Sequence, residues 1–522
     1  MKNYKQTPSN GKGNGDEPIS LGLYRNRFKR FLLEIGIRVL IWLGPTLARI
    51  KPFREAIVRK AESRLKAGYQ KALQTSSRPA GVEKDRLDMG IAILHTVERA
   101  LARGQLSGST LNGALGTLVK DILVRQGDWS VKEQFKENYG SHPPDFLVLS
   151  PGKACNLHCI GCYADSGPTR EKLDFAVLDR IVNEAHELWG SRFFVISGGE
   201  PMAYQSNGLG VLDLIERHPD CFFLMYTNGT LIDDAKAKRM AASGNITPAI
   251  SVEGLRQRTD ERRGEGVFDR ILAAMDRLRR EKVLFGLSIT ATRSNTEEIL
   301  SDEFINFFFN EVGALYAWIF HYMPIGRSFT LDLMPTPQQR LAMWQRTWKL
   351  VRERQLFIAD FWNSGTVSDG CVSAGRAGGY LYIDWNGAIS PCVFVPYTPL
   401  NINQVYAQGK NLNDVWSEPF FADIRAWQNN YGFKQPRTGN HDNWLMPCPI
   451  RDHHKMFRQL LTRHEPDPMD VNARQALLDE DYARGLYEYD AAYEALSKPI
   501  WEEHYKSGNH HEKQVSEPFS DN

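Results

Sequence analysis

From Pro143-Pro144 to about residue 354 the chain repeats one pattern six times: a short apolar run, then an amphipathic stretch of helical period. The runs fall at 146–149, 193–197, 222–227, 249–252, 284–291 and 317–322, and the helical stretches at 175–190, 209–217, 233–243, 268–281, 297–312 and 337–354. Parallel strands must be joined by a crossover, usually a helix, so this alternation builds a parallel sheet with helices on its outer face. Six units predict an α/β fold, a partial (β/α)6 TIM-like barrel over 141–358. In such folds chemistry sits at the carboxyl ends of the strands. Each loop that follows a strand is therefore where functional residues belong.

With 42% hydrophobic residues, the 522-residue chain can bury a sizeable core within two to four domains. Its formal net charge of +2 gives no bulk field for a nucleic-acid partner. The barrel is preceded by a polar stretch, 1–20, predicted to be disordered, and by an all-α region, 21–140. It is followed by a small cysteine-rich β-hairpin extension, 359–460, and a helical tail with a polar end, 461–522. Positions 24–70 carry twelve Lys or Arg against three Glu. Their apolar stretch, 31–44, contains Glu34 and Arg38 and is too short to span a bilayer, which takes about 20 apolar residues. With Trp42 and its basic flanks it suits a helix lying in a membrane interface, and equally a helix packed on the main domain. No signal peptide opens the chain and its seven cysteines are an odd number, which points to a reducing cytoplasm, with the inner face of the membrane as the surface that helix would touch.

The motifs fall after the strands. After the first comes Lys-Ala-Cys155-Asn-Leu-His-Cys159-Ile-Gly-Cys162-Tyr163, three thiols separated by three and then two residues. Ser197-Gly198-Gly199-Glu200-Pro201 follows the second strand, Thr227-Asn228-Gly229 ends the third, and Ser251-Val252-Glu253-Gly254 ends the fourth, with Arg263 further on. His321 and Tyr322 close the sixth, before Pro324-Ile325-Gly326-Arg327 turns away. A structural zinc site also takes thiolates, but it is closed by four ligands and no fourth cysteine lies near.

This series resembles the radical S-adenosylmethionine (SAM) superfamily. The resemblance implies a [4Fe–4S] cluster on Cys155, Cys159 and Cys162 whose fourth iron chelates SAM. It also implies a reductant such as flavodoxin or ferredoxin, and a 5'-deoxyadenosyl radical from reductive cleavage of SAM. Carried over to this chain, Gly198, Gly199, Asn228 and Glu253 belong to the SAM site. Glu200 would accept from the SAM ammonium group, Ser251 would meet its ribose or carboxylate, Arg263 would pair with its carboxylate, and Tyr163 would lie against adenine. His321 and Tyr322 are candidates to pass a hydrogen atom or proton to substrate, or are simply wall.

A second set follows the barrel. Asp384-Trp385-Asn386-Gly387 reads as a hairpin turn that would bring Cys371 and Cys392 together. With Cys448 they resemble the opening of the SPASM and Twitch domains, which hold auxiliary [4Fe–4S] clusters. The pattern is incomplete, so one auxiliary cluster is the most it implies. Asp369, Asp452, His453 or His454 could complete that site, or the position could be open; a zinc site is the alternative. Cys221, at a strand start, reads as core packing.

The expected activity is hydrogen abstraction by the SAM-derived radical, in an oxidation or a C–C or C–S bond-forming modification. The basic apolar helix favours a lipid or membrane-associated substrate. A maturase of a ribosomal peptide or protein is the alternative, and a non-catalytic iron–sulfur or zinc protein a third.

Overall fold

The computed structural model describes residues 50–106, 109, 126–433 and 441–506. The predicted interface helix up to residue 49, and positions 107–108 and 110–125 of the predicted all-α region, lie outside the described residues. Ahead of the barrel come α1 (Lys51–Thr75), α2 (Ala80–Ala102) and α3 (Gln126–Tyr139), and no described helix is long and apolar enough to cross a membrane.

Seven parallel strands follow: β1 (Phe146–Leu149), β2 (Phe193–Ile196), β3 (Phe222–Thr227), β4 (Ile246–Val252), β5 (Gly286–Ala291), β6 (Tyr316–His321) and β7 (Phe357–Asp360). They lie side by side in chain order. Between them run α4 (Phe175–Trp189), α5 (Val211–Arg217), α6 (Asp234–Ser243), α7 (Arg256–Arg263), α8 (Val267–Arg280) and α9 (Pro337–Glu353). The crossovers form for local reasons. In α4 the Asp174 side chain accepts from Ala176 N at the start, left-handed Gly190 ends the helix, and Phe175, Leu178, Ile181, Val182, Ala185 and Trp189 make one buried face. In α9, Thr336 and Gln339 form a capping box ahead of Pro337.

Two differences from the sequence reading matter for the site. The six expected strands are joined by a seventh, β7, four residues long and ending in the buried Asp360. At the other edge β8 (Tyr380–Ile383) pairs in parallel with β1, and β9 (Ala388–Ser390) returns antiparallel to it. The cysteine-rich hairpin thus continues the barrel sheet. The helix expected at 297–312 is a chain of short turns, Glu298–Leu300, Asp302–Ile305 and the wider Asn306–Val312.

The hairpin turn sits where the sequence puts it. Gly387 has φ +80°, and the Asp384 carboxylate accepts from Asn386 N at 2.9 Å and Ala388 N at 2.8 Å. Burial nonetheless raises this carboxyl from 3.8 to about 6. An acid whose pKa rises on folding stabilises the fold fully below its unfolded value and loses that contribution as pH climbs through the folded one. Between pH 4 and 7 the native protein should therefore lose about 2–3 kcal/mol that Asp384→Asn does not lose. Melting curves of the two proteins at pH 4.5, 5.5 and 7 check this, and equal slopes would contradict it.

Candidate active site

At the carboxyl ends of the strands lies a cleft with an open volume of about 1400 Å³. Its rim carries Cys155, Cys159, Cys162, Tyr163, Gly198, Gly199, Asn228, Ser251 and Arg263, and His321 and Tyr322 reach it from β6. The motifs recognised in sequence therefore meet in one place. Below the rim the wall is aromatic, with Phe146, Phe193, Trp318, Phe320, Tyr380 and Phe394 among its members.

The cysteine loop is held by backbone. Cys155 N donates to Gly167 O at 3.0 Å, Gly199 N to Gly152 O at 2.9 Å and Glu200 N to Ala154 O at 2.8 Å. The Cys155 sulfur lies within electrostatic reach of Cys159 and Cys162, and burial pushes its thiol up to about 11. Asn228 Nδ2 points to it at 3.8 Å, and Arg263 Nη1 stands 3.9 Å from the Cys159 sulfur. Gly199 is required by contact: a Cβ there would lie 2.3 Å from the carbonyl oxygens of both Lys153 and Ala154. Gly199→Ala should push the two loops apart and weaken SAM binding by the reconstituted protein at least ~10-fold, about 1.4 kcal/mol, in calorimetric titration. Gly167→Ala, whose added methyl meets nothing within 4 Å, is the control, and equal affinities would contradict the close approach.

The two carboxylates lie behind the cleft wall. Glu200, 1% exposed, accepts from Thr227 Oγ1 at 2.6 Å, Asn228 N at 2.8 Å and Met202 N at 2.9 Å, so it ties the second loop to the third. Burial raises its pKa. Glu253, equally buried, accepts from Arg262 Nη1 at 2.7 Å and Arg263 Nε at 2.9 Å. Burial works against the Arg263 charge, but Glu253 and the nearby thiols hold the guanidinium protonated. Tyr163 OH and Ser197 Oγ share a hydrogen bond of 2.6 Å, leaving the tyrosine ring on the cleft.

His321 and Tyr322 have their polar atoms committed. His321 Nε2 lies 3.0 Å from Asp360 Oδ2, and its Nδ1 lies 3.2 Å from Arg451 Nη2. A guanidinium only donates, so Nδ1 accepts and Nε2 carries the proton toward Asp360. Burial lowers the His321 pKa and keeps the ring neutral. Tyr322 OH donates to Ser328 O at 2.7 Å, and burial pushes it up to about 12.

Sequence reading missed Arg327, Asp360 and Arg451. The segment 324–327 turns back rather than away: Arg327 N donates to Cys162 O at 3.0 Å and Arg327 Nη1 to Cys159 O at 2.5 Å. Gly326 makes this possible, since a Cβ there would lie 2.1 Å from Tyr163 O. The only signal in the sequence was that glycine.

Cys371, Cys392 and Cys448 lie within electrostatic reach of one another, the Cys448 sulfur feeling both of the others. All three thiols are raised by burial, Cys392 to about 12. Tyr380 OH lies 3.0 Å from the Cys392 sulfur and Phe394 N 3.5 Å, so two cleft-lining residues separate this set from the cleft. The four candidate fourth ligands are engaged elsewhere. Asp369 takes Arg78 Nε at 2.6 Å, Asp452 takes Arg340 Nη1 at 2.5 Å, His453 Nε2 lies 2.9 Å from Met446 O, and His454 Nδ1 lies 2.7 Å from Ile450 O. Among the described residues no three His, Cys, Asp or Glu side chains are gathered closely enough for a single metal ion. Cys221 is buried in the core, as expected.

Fe-coproporphyrin III synthase of Methanosarcina barkeri is 29% identical over 29% of this chain and 38% of its own length. AdoMet-dependent heme synthase of the same organism is 27% identical over 39% of this chain and 58% of its own length. The chain thus spans well under two thirds of these two relatives. Mycofactocin maturase MftC of Mycolicibacterium smegmatis is 26% identical over 57% of this chain and 76% of its own length. Among solved structures, Streptococcus suis SuiB bound to S-adenosylmethionine matches 57% of this chain and 72% of its own at 19% identity, with a TM-score of 0.47. The family model described as the radical SAM superfamily matches residues 149–301, which hold the cysteine loop, the glycine pair and Arg263. By those residues and that match, residues 149–301 of this chain form a radical SAM domain.

Proposed function

We propose that this enzyme uses SAM to abstract a hydrogen atom from an apolar side chain of a peptide or protein. The observation that carries the reading is the division of the cleft, with thiols, glycines and Arg263 on the rim and aromatic rings below. Cys155, Cys159 and Cys162 would hold a [4Fe–4S] cluster which, reduced by a flavodoxin or ferredoxin and with SAM bound, would supply a 5'-deoxyadenosyl radical. The donor set suits them: three thiols lining one cleft, a glycine pair that lets a ligand lie against backbone, and a guanidinium fork matched to a carboxylate. Arg263 would hold that carboxylate while Glu253 fixes the fork, and Tyr163 would offer its ring to adenine. Glu200 would shape the site from behind by holding Asn228 and Thr227. His321 and Tyr322 would act as wall that orients the target bond and excludes water.

The charge of the cleft supports this substrate class. Among the described residues the only cations lining the cleft are Arg262 and Arg263, and both already pair with Glu253. A tetrapyrrole bearing several carboxylates, as the two synthase names suggest for those relatives, would bury charges without partners. An aliphatic or aromatic side chain would not. The maturase is also the relative matched over the largest share of both chains among those described above. The lipid reading rested on positions 24–70, and neither the cleft nor the relatives add to it.

Cys371, Cys392 and Cys448 would hold an auxiliary cluster behind Tyr380 and Phe394, close enough to take the electron left after hydrogen abstraction. Three buried thiols with raised pKa values suit this, because a bound metal deprotonates them. The reading is tested by adding end-blocked synthetic peptides, or coproporphyrin III, to the reduced enzyme with SAM. Peptides with aromatic or aliphatic residues should stimulate 5'-deoxyadenosine release and the porphyrin should not; the reverse outcome would overturn the substrate class.

A further inference from the structure

The wall of the cleft carries one polar rung. Register pairs Ser251 of β4 with Ser288 of β5, and Ser288 with Trp318 of β6, and all three line the cleft. Neighbouring strands lie about 4.8 Å apart, so the three residues cross the wall side by side. Ser251 Oγ, Ser288 Oγ and Trp318 Nε1 make no hydrogen bond to any described residue, and none of the three atoms is sealed from solvent. Other polar groups of the inner strands are paired off. Tyr163 OH meets Ser197 Oγ at 2.6 Å, Thr247 Oγ1 meets Tyr316 OH at 2.7 Å, and Tyr380 OH lies 3.0 Å from the Cys392 sulfur.

Two more cleft hydroxyls lack a partner among the described residues, those of Tyr226 and Thr290. The ladder sets Tyr226 beside Ala249 and Thr290 beside Phe320, so neither has a polar neighbour in register. Only the rung through Ser288 offers adjacent groups. On the reading given above Ser251 meets SAM, which leaves Ser288 and Trp318, one and two strands further on, for the substrate.

The chemistry of the pair selects what it can hold. An indole N–H only donates and a serine hydroxyl can donate, so one atom shared by both must be an acceptor with two lone pairs. A carboxylate is disfavoured, because Arg262 and Arg263 are already on Glu253 and a buried charge would stay unpaired. A hydrocarbon chain has no acceptor to offer. An amide carbonyl satisfies both donors without adding charge.

We infer that Ser288 and Trp318 form a subsite for one backbone carbonyl oxygen of a bound peptide. The inference rests on the reading of the substrate as a peptide and says how the cleft recognises one. The carbonyl fixes the chain on the β5–β6 side of the wall, and the side chain next to it packs among the aromatic rings. Binding energy from a group that does not react is thereby used to orient the bond that does.

The test compares pairs of end-blocked peptides that differ in one atom, an amide oxygen replaced by sulfur, which accepts hydrogen bonds poorly. With the native enzyme, sulfur at one position should lower kcat/KM for peptide-stimulated 5'-deoxyadenosine release by at least ~10-fold, the worth of two neutral hydrogen bonds. That ratio should shrink by at least ~3-fold in Ser288→Ala and in Trp318→Phe, each of which removes one donor. Each enzyme is compared with itself, so a partial loss of fold or of iron lowers both peptides alike and leaves the ratio intact. A sulfur penalty equal in native and variant enzymes, or no penalty at any position, would overturn the subsite. Peptides that release no 5'-deoxyadenosine above the peptide-free rate of the native enzyme would instead overturn the peptide reading beneath it.

Discussion

Replacing any one of Cys155, Cys159 or Cys162 with alanine should reduce 5'-deoxyadenosine formation to the background of the assay and lower bound iron by about four atoms per chain, one [4Fe–4S] cluster. The effect is large because the three sulfurs are not interchangeable with their surroundings. The neighbouring polar side chains Asn228, Arg263 and Arg327 donate hydrogen bonds, and none is a thiolate that could take over as a ligand. The fold should survive, since the loop is fastened through Cys155 N, Gly199 N, Glu200 N and Arg327 N, and none of these bonds uses a sulfur. Circular dichroism beside iron analysis checks both halves of the expectation. A variant that kept its iron and still cleaved SAM would show that another residue serves as ligand.

Removing Cys371, Cys392 and Cys448 together should separate two activities. Iron should fall from about eight to about four atoms per chain. SAM cleavage should persist, because the rim of the cleft contains none of these residues. Conversion of substrate should drop at least ~10-fold, equivalent to about 1.4 kcal/mol on the barrier, leaving 5'-deoxyadenosine made without product. On the proposed reading a net oxidation would need both sets, hydrogen abstraction at the rim and a second acceptor for the remaining electron. Unchanged substrate turnover in the triple variant, measured by mass spectrometry of the peptide, would contradict the acceptor role.

The parts of this molecule legible in sequence are those set by local pattern. Alternating apolar runs located β1 to β6, and the residues after β1, β2, β3 and β4 reached one rim because parallel strands point their carboxyl ends the same way. What escaped depended on long-range partners. Strand β7 is four residues ending in an aspartate, and its register is set only by β6 beside it. Glu200 and Glu253 look like ligand-facing carboxylates in sequence, yet each is drawn inward by donors from the next loop or helix. His321 read as a proton carrier or as wall, and its partners Asp360 and Arg451, 39 and 130 residues away, could not be placed against it.

The most direct test of the central claim is the native enzyme itself, reconstituted without oxygen and given SAM and dithionite. Release of 5'-deoxyadenosine and methionine, dependent on the reductant, is the predicted result. SAM recovered intact from protein that carries its full iron and sulfide would contradict it.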